Sequence, residues 1–361
     1  MDHGVELVVG DKVTAFDTNK VILESGKEIV SEVVVMSIGV RPETDLASTA
    51  GLELGKTGAI KVDPNFLTND PDIYAVGDAV EVYNTLTQDS FKLSLAGPAL
   101  KQARSVADHI HGKTINNTGY IGSSVVKVFN YNAAATGLNE KMLAHLNIDY
   151  DWVKIIPKDK VGIMPDAEEL GFKVIFEKPT GRVLGAQAIG RGNVDKRVDV
   201  IATAIKFGAT VENLRDLELC YAPPFGTGKD AVNFAGYVAS NLLHGSFRQV
   251  SMGTMRELVE QDAYILDVRE KGEYKSGHII NAKSIPLSQL RDRYEEIPKD
   301  KPVYIHCRSG QRSYNAVLAL KAKGYDKVFN VSGGFLGVCA FEYFNDKTKG
   351  RKPIVTEYNF A

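Results

Sequence analysis

Cysteine is scarce in this chain. Cys220, Cys307 and Cys339 are the only three among 361 residues, with no CxxC pair and no zinc-ligand spacing. An odd, dispersed set excludes a disulfide framework and a cysteine-held metal, and it suits a reducing compartment where thiols do chemistry. Cytoplasm is the expected location, with no metal site. Long apolar runs are also missing: none approaches the roughly 18 residues a membrane span needs, and Met1-Asp2-His3-Gly4 does not open a signal-peptide pattern. No membrane engagement is expected. Charge of one sign is absent as well, with 43 basic against 45 acidic residues, so no field draws nucleic acid. Trp152 and the tyrosines form no stacking platform for bases. His109 and His111 stand two apart, on different faces of a helix, and are not expected to share a metal. Finally, no GxGxxG turn follows a strand, as a dinucleotide-binding βαβ unit requires. Gly226-Thr227-Gly228-Lys229-Asp230-Ala231 has the letters GxGxxA but follows Pro223-Pro224-Phe225, and reads as a turn.

What is present predicts two or three domains, at about 100–200 residues each. Val5–Val9, Val13–Phe16, Lys20–Leu23 and Glu28–Ser31 alternate with turn residues like a small antiparallel ribbon. Val33–Ile38 is a continuous apolar run and predicts a buried strand. Another strand is expected at Ile73–Val76, ending at Gly77-Asp78. A helix is expected over Ala99–His111, with Pro98 in its first position and Gly112 as its stop. Between Gly119 and Leu243 the pattern gives a strand at Val125–Phe129 and a hairpin of Lys173–Glu177 with Val183–Ile189. Helices at Lys196–Phe207 and Val232–Leu243 follow. Gly245-Ser246 has linker composition. Beyond it, helices at Met255–Glu260 and Ser313–Lys323 alternate with strands at Tyr264–Val268, Val303–His306 and Lys327–Asn330, an α/β pattern.

The sharpest chemical signal is Val303-Tyr304-Ile305-His306-Cys307-Arg308-Ser309-Gly310-Gln311-Arg312-Ser313. A buried strand here delivers one cysteine into a short loop that opens a helix. Backbone N–H groups of such a loop converge on its centre, and the helix end adds partial positive charge. Arg308 and Arg312 are expected to add full charges. The arrangement favours an anionic sulfur, first as the nucleophile Cys307 and then as its persulfide, cradled by Ser309, Gly310, Gln311 and Ser313. Cys339, within an apolar stretch, reads as a core cysteine.

From Ser251 to Phe344 the chain resembles the rhodanese family. Ile265-Leu266-Asp267-Val268-Arg269, Glu273 and Gly277-His278-Ile279 are similar to its upstream signature, and Asn330-Val331-Ser332-Gly333-Gly334-Phe335 to its closing turn. Six residues run from Cys307 to Arg312 inclusive. That is the loop length of sulfurtransferases; the related dual-specificity phosphatases use one more. Asp267 and Arg269 read as a buried structural pair and His278 as a local cap, while Asn281 suits a left-handed position.

Upstream, from about Gly4 to Asn241, the chain resembles the pyridine nucleotide-disulfide oxidoreductases, in the coenzyme A-disulfide reductase and NADH oxidase branch that carries a rhodanese domain. Ile38-Gly39-Val40-Arg41-Pro42 is similar to the end of the NAD-binding domain, and Asp72–Ala79 to the second FAD motif. Leu93–Ala99 is similar to the stretch that sets a helix end near the flavin ring. Leu219–Asp230 resembles part of the dimerisation domain, with Tyr221 matching a tyrosine of the branch. A tyrosine pair of that branch is replaced here by Ile163-Met164. The resemblance implies FAD contacts from Gly77, Asp78, Leu95, Ala96 and Pro98, a catalytic part for Tyr221, NAD(P)H as reductant and a homodimer.

The fold class expected is α/β and α+β multidomain. It comprises a remnant of the NAD-binding domain (1–40), the second part of the FAD-binding domain (41–112), an α+β dimerisation domain (113–243) and a rhodanese α/β domain with a central parallel sheet (250–361). With both glycine-rich cradles and the flavin-side redox cysteine missing, the chain is expected to be part of a longer reductase of disulfides or persulfides. Only its sulfur-transfer site would be complete, and FAD would bind weakly or not at all. The expected substrate is a small sulfane-sulfur or thiol compound, such as coenzyme A disulfide or a persulfide. The alternative is a non-catalytic dimerisation module that presents persulfide to a partner; a phosphatase is disfavoured by the loop length.

Overall fold

The computed structural model describes residues 3–115 and 117–360. Its first element is an antiparallel meander of β1 (Val13–Asp17), β2 (Lys20–Leu23) and β3 (Glu28–Val30). The turn-punctuated sequence predicts this ribbon, except that Val5–Val9 forms no strand. Val33–Ile38 is not the buried strand its composition predicts: it takes no sheet position, and Val35 is 84% and Ile38 87% exposed. A doubly buried strand needs paired neighbours and a cover on each face, and the described residues bring neither to this run.

A small unit follows, with α1 (Asp45–Thr49), the hairpin of β4 (Glu81–Asn84) and β5 (Asp89–Lys92), and α2 (Ala96–Ile110). Its core is slight, built on Ala47, Ile60, Val80 and Val82. Ile73–Val76 is not a strand; it makes a single bridge, Leu67 to Tyr74. Helix α2 starts two residues before Pro98. Proline is tolerated there because the first N–H groups of a helix have no carbonyl to bond.

Next come β6 (Ser123–Val128), β7 (Tyr131–Gly137), α3 (Glu140–His145), β8 (Tyr150–Ile155), β9 (Leu170–Glu177) and β10 (Val183–Gly190), then α4 (Val194–Lys206), α5 (Val211–Asp216) and α6 (Ala231–Leu243). The five strands form an antiparallel sheet in the order β6-β7-β10-β9-β8. Phe172, Val174 and Phe176 alternate along β9 and share a core with Val198 and Ile201 of α4 and Val232 and Ala235 of α6. Ile175, pointing the other way, packs with Leu143 of α3. Strand β6 is the uncovered edge, exposed along its whole length.

The last unit contains β11 (Gln249–Val250), α7 (Met255–Glu260), β12 (Tyr264–Asp267), α8 (Lys271–Lys275), β13 (Lys283–Ser284), α9 (Leu290–Arg293), β14 (Val303–His306), α10 (Gln311–Lys321), β15 (Val328–Val331) and α11 (Gly334–Lys349). All five strands are parallel, ordered β11-β15-β14-β12-β13. Helix α10 covers one face through Ala316, Val317 and Leu320; α7 and α11 cover the other through Met255, Phe335 and Val338. The Gly245-Ser246 stretch is tied down: Lys321 Nζ donates to the Ser246 carbonyl at 2.7 Å, and Phe247 beside it is fully buried. Asn241 of α6 also donates to the Tyr314 hydroxyl at 3.1 Å, joining this unit to the antiparallel sheet's helices.

Candidate functional site

Strand β14 lies at the centre of the parallel sheet, so the residue following it emerges at the sheet's carboxyl end, where α/β folds place their ligands. That residue is Cys307, 1% exposed. Gly310, at φ +109°, turns the loop so that its N–H donates to Cys307 Sγ at 3.1 Å. The Ser313 hydroxyl lies 3.5 Å from the sulfur but only 2.6 Å from Asn330 Oδ1. A hydroxyl has one proton, and the shorter contact takes it, so the Gly310 N–H and not the Ser313 hydroxyl donates to the sulfur. The loop is held from behind by the first turn of α11. Phe335 N–H donates to the Cys307 carbonyl at 2.8 Å and Leu336 N–H to the Arg308 carbonyl at 2.9 Å. A β-carbon on Gly334 would stand 2.7 Å from both carbonyl oxygens, so only glycine permits this approach.

The two arginines of the loop are not bare charges. Arg312 of α10 makes two hydrogen bonds of 2.7 Å to Glu273 of α8, one to each carboxylate oxygen. The Glu273 bond raises the Arg312 pKa, with Cys307 contributing a smaller part in the same direction. Arg312 bonding in turn holds the Glu273 carboxyl below its usual range. Arg308 reaches away, to Glu169 just before β9, at 2.8 Å. The expectation that Arg308 lends an unpaired charge to the sulfur is thus corrected, because a carboxylate from the neighbouring unit faces it.

Beneath Cys307 lies a buried polar group. Arg269 makes a fork to Asp267, with bonds of 2.6 to 3.1 Å, and also donates to the Gly277 carbonyl at 2.8 Å. His306 Nε2 lies 3.6 Å from Asp267 and has no hydrogen-bond partner among the described residues. Burial drives the His306 pKa down. It also pushes the Asp267 carboxyl up, but His306 and the Arg269 fork outweigh this and hold it low. With His306 neutral near pH 7, the working cation of the group is Arg269. His278 stacks on Tyr274 and contacts its carbonyl at 3.0 Å, as a local cap. Cys339 is sealed in α11, and burial raises its pKa.

The residues matched to flavin contacts lie elsewhere. Gly77 and Asp78 form a short turn, and the Gly77 N–H donates to Gln102 Oε1 of α2 at 2.6 Å. That bond ties the turn carrying the exposed Asp78 carboxylate to the middle of α2, and the N-terminus of the same helix, at Leu95, Ala96 and Pro98, has no side-chain cap among the described residues. A carboxylate and a free helix end suit one part of a flavin. Among the described residues no strand, glycine turn and helix supply the phosphate cradle for the rest, so the fit is partial. Tyr221 is exposed, over Gly228, and is not part of the surroundings of Cys307. Among the described residues no group of three or more His, Cys, Asp or Glu is placed to hold a metal, and no helix is long and apolar enough to cross a membrane.

Sequence reasoning missed the partners of the loop. Glu169 lies 139 residues before Arg308 and in another unit, and no local pattern pairs them. Glu273 stood out in its motif, but its bond to Arg312 spans 39 residues.

Comparison with known proteins accords with this architecture. Residues 1–103 match the pyridine nucleotide-disulphide oxidoreductase family, 123–231 its dimerisation domain and 251–340 the rhodanese-like domain. The chain is 32% identical over 230 residues to coenzyme A disulfide reductase of Staphylococcus epidermidis, covering 63% of this chain and 52% of that protein. For the enzyme of that name from Staphylococcus aureus (strain JH9) the identity is 30% over 232 residues, covering 64% and 52%. The crystal structure of reduced Bacillus anthracis CoADR-RHD superposes with a TM-score of 0.89 at 48% identity, over 92% of this chain and 60% of that one. A NAD-dependent persulfide reductase from A. fulgidus superposes at 0.86 and 36% identity, over 92% and 61%. The chain spans about half the length of the curated relatives it matches. It belongs to the pyridine nucleotide-disulphide oxidoreductases, carrying oxidoreductase and dimerisation segments joined to a rhodanese-like domain.

Proposed function

We propose that this chain transfers sulfane sulfur at Cys307, as the sulfurtransferase part of a flavin- and NAD(P)H-dependent reductase of disulfides or persulfides, coenzyme A disulfide among them. The observation that carries the reading is the Cys307 loop: one sulfur at the end of a central parallel strand, an N–H aimed at it from 3.1 Å, and the Arg312–Glu273 fork beside it. In the loading step the Cys307 thiolate attacks the outer sulfur of a donor such as thiosulfate. The donor S–S bond breaks, and sulfite leaves with the electron pair. The resulting Cys307 persulfide anion keeps the Gly310 donor. In the second step an acceptor thiolate attacks the outer sulfur, and Cys307 departs as thiolate. No net oxidation occurs.

Bound FAD would supply hydride acceptance from NAD(P)H and electron delivery to a disulfide. In this chain Gly77, Asp78, Leu95, Ala96 and Pro98 are the residues available to it, and Tyr221 is kept as a candidate catalytic group of the reductase. Successive units at 1–40, 41–112, 113–243 and 250–361 complete the reading, with the third forming a homodimer. That a relative is called a persulfide reductase supports a persulfide as the shared intermediate. The experiment is thiosulfate:cyanide sulfurtransferase turnover by the purified chain and by Cys307→Ser. Turnover that disappears in the serine variant supports the proposal. Turnover that survives in the variant overturns Cys307 as the nucleophile, and turnover absent from both leaves the second reading, a non-catalytic dimerisation module that presents persulfide to a partner.

A further inference from the structure

Residues 351–360 lie beyond the segment that matches the rhodanese-like domain, 251–340, yet they are built into its core. After α11 the chain turns at Gly350, at φ +62°, and runs antiparallel beside residues 278–280. The Ile280 N–H donates to the Ile354 carbonyl and the Thr356 N–H to the His278 carbonyl, each at 2.9 Å. Ile354 and Val355 are buried with Ile279, Phe335 and Val338. The His278 N–H in turn donates to the Thr356 hydroxyl oxygen at 3.0 Å. A β-carbon on Gly277 would stand 2.6 Å from the Glu357 carbonyl oxygen, so a side chain there would lift this strap away.

One end of the strap is fixed on α11. Glu342 and Asp346 are buried carboxylates of that helix, and Arg351 donates to them at 2.7 and 2.9 Å. Arg256 of α7 bonds Asp346 at 2.7 Å and the Lys352 carbonyl at 3.1 Å. The Tyr358 hydroxyl also donates to Asp346. Burial, then the Asp346 carboxylate, raise the Tyr358 pKa, so the hydroxyl keeps its proton. The other end reaches the sulfur site. His278 lies flat on Tyr274 of α8, and the neighbouring Glu273 holds Arg312. The Gly277 carbonyl accepts from Arg269, whose guanidinium lies 4.0 Å over the Phe335 ring, and the Phe335 N–H holds the Cys307 carbonyl. The strap thus bridges the two elements that frame the Cys307 loop, α11 behind it and α8 at its mouth.

We propose that this C-terminal strap positions the sulfur site, with Thr356 and Tyr358 as positioning residues that hold α8 against α11 so that Glu273 presents Arg312 to the anion on Cys307. The proposal rests on the sulfur-transfer reading of Cys307 and extends it to a segment outside the rhodanese-like match. When the strap loosens, α8 shifts, Arg312 follows Glu273 away from the sulfur, and the thiolate loses a neighbouring charge.

The reactivity of Cys307 tests the strap apart from turnover. Thr356→Val removes the acceptor of the His278 N–H at an exposed position, and Thr356→Ser keeps it. Alkylation by uncharged iodoacetamide is followed peptide by peptide across pH, with the exposed Cys220 as internal control. In Thr356→Val the Cys307 rate at pH 7 is expected to fall roughly threefold or more, with its pH profile displaced upward, because the thiolate is the reacting form. Cys220 should be unchanged, Thr356→Ser should match the parent, and kcat/KM for thiosulfate should fall with the alkylation rate. A parent-like Cys307 profile in Thr356→Val, an equal loss in Thr356→Ser, or an equal slowing of Cys220 would overturn the proposal. Should Thr356→Val lose its cooperative thermal melt, Tyr358→Phe, which deletes a single oxygen, decides by the same Cys307 and Cys220 criteria. If the parent chain shows no thiosulfate:cyanide turnover while the alkylation shift persists, the sulfur-transfer reading fails and the strap's hold on the loop stands.

Discussion

Glu273 holds Arg312 by both of its oxygens, at 2.7 Å each, across the mouth of the Cys307 loop. The fork fixes where the guanidinium stands and therefore how it meets a sulfur anion. Each side chain is about a third exposed, so solvent screens the pair and its stability contribution is modest, about 1 kcal/mol or less. Its effect on transfer should be larger. Glu273→Gln is expected to lower the melting temperature little and to reduce kcat/KM for thiosulfate by roughly tenfold, the value of one displaced charge-assisted contact. Parallel thermal melts and initial rates check this; a large melting shift with intact kcat/KM would assign the pair to stability alone.

The tie between Arg308 and Glu169 joins two units through partly exposed side chains. A double-mutant cycle with Arg308→Ala and Glu169→Ala should give a coupling energy of about 0.2–1 kcal/mol in urea unfolding, shrinking with added salt. Coupling of several kcal/mol would mean the pair is effectively desolvated.

His306 gives the pH dependence its sign. Burial depresses its folded pKa below the unfolded value, so folded chain stays unprotonated where unfolded chain binds a proton. The associated stability is complete above the unfolded pKa of about 6.5 and is lost as pH falls toward the folded pKa. Asp267, also held low, adds a second loss at more acid pH, below the unfolded carboxylate range. Urea midpoints at pH 7 and pH 5 should therefore fall more steeply for the parent chain than for His306→Gln. Equal slopes would remove His306 as the cause.

Self-association should run through β6. Val125, Val126 and Val128 on this edge strand are each more than half exposed, with Phe129 next to them, and an uncovered apolar edge is a pairing surface. Light scattering at low micromolar concentration is expected to show a discrete dimer, and Val126→Lys/Val128→Lys to yield monomer. A dimer unaffected by the lysines would place the interface elsewhere.

Flavin is expected not to co-purify in stoichiometric amount, because Asp78 and the end of α2 are a partial site. An absorption spectrum after gel filtration checks this, and a retained yellow chromophore at one per chain would contradict it.

How much of this was legible beforehand depended on where the determining contacts lie. Strand β14, Cys307 and α10 were readable because a strand, a six-residue loop and a helix are local in sequence. The hairpin of β9 and β10 was readable for the same reason. Val33–Ile38 misled because composition reports the wish to be buried, while burial itself needs neighbours from elsewhere. The charges of Arg308 and Arg312 were seen, but their neutralising partners were not, since Glu169 and Glu273 approach only through the fold. Lys154 was invisible on the same ground: it belongs to an antiparallel sheet and meets Met252 and Gly333 of the last unit only through the fold.

Gly334 has a consequence for what the protein can bind. Its missing side chain lets the first turn of α11 press against the Cys307 and Arg308 carbonyls, and those bonds set the span of the loop from outside it. The diameter of the anion pocket is thus a property of a helix that contributes no atom to its lining. The shape of the sulfur loop is in this sense stored as a distance between two backbones, where a single methyl group could rewrite it.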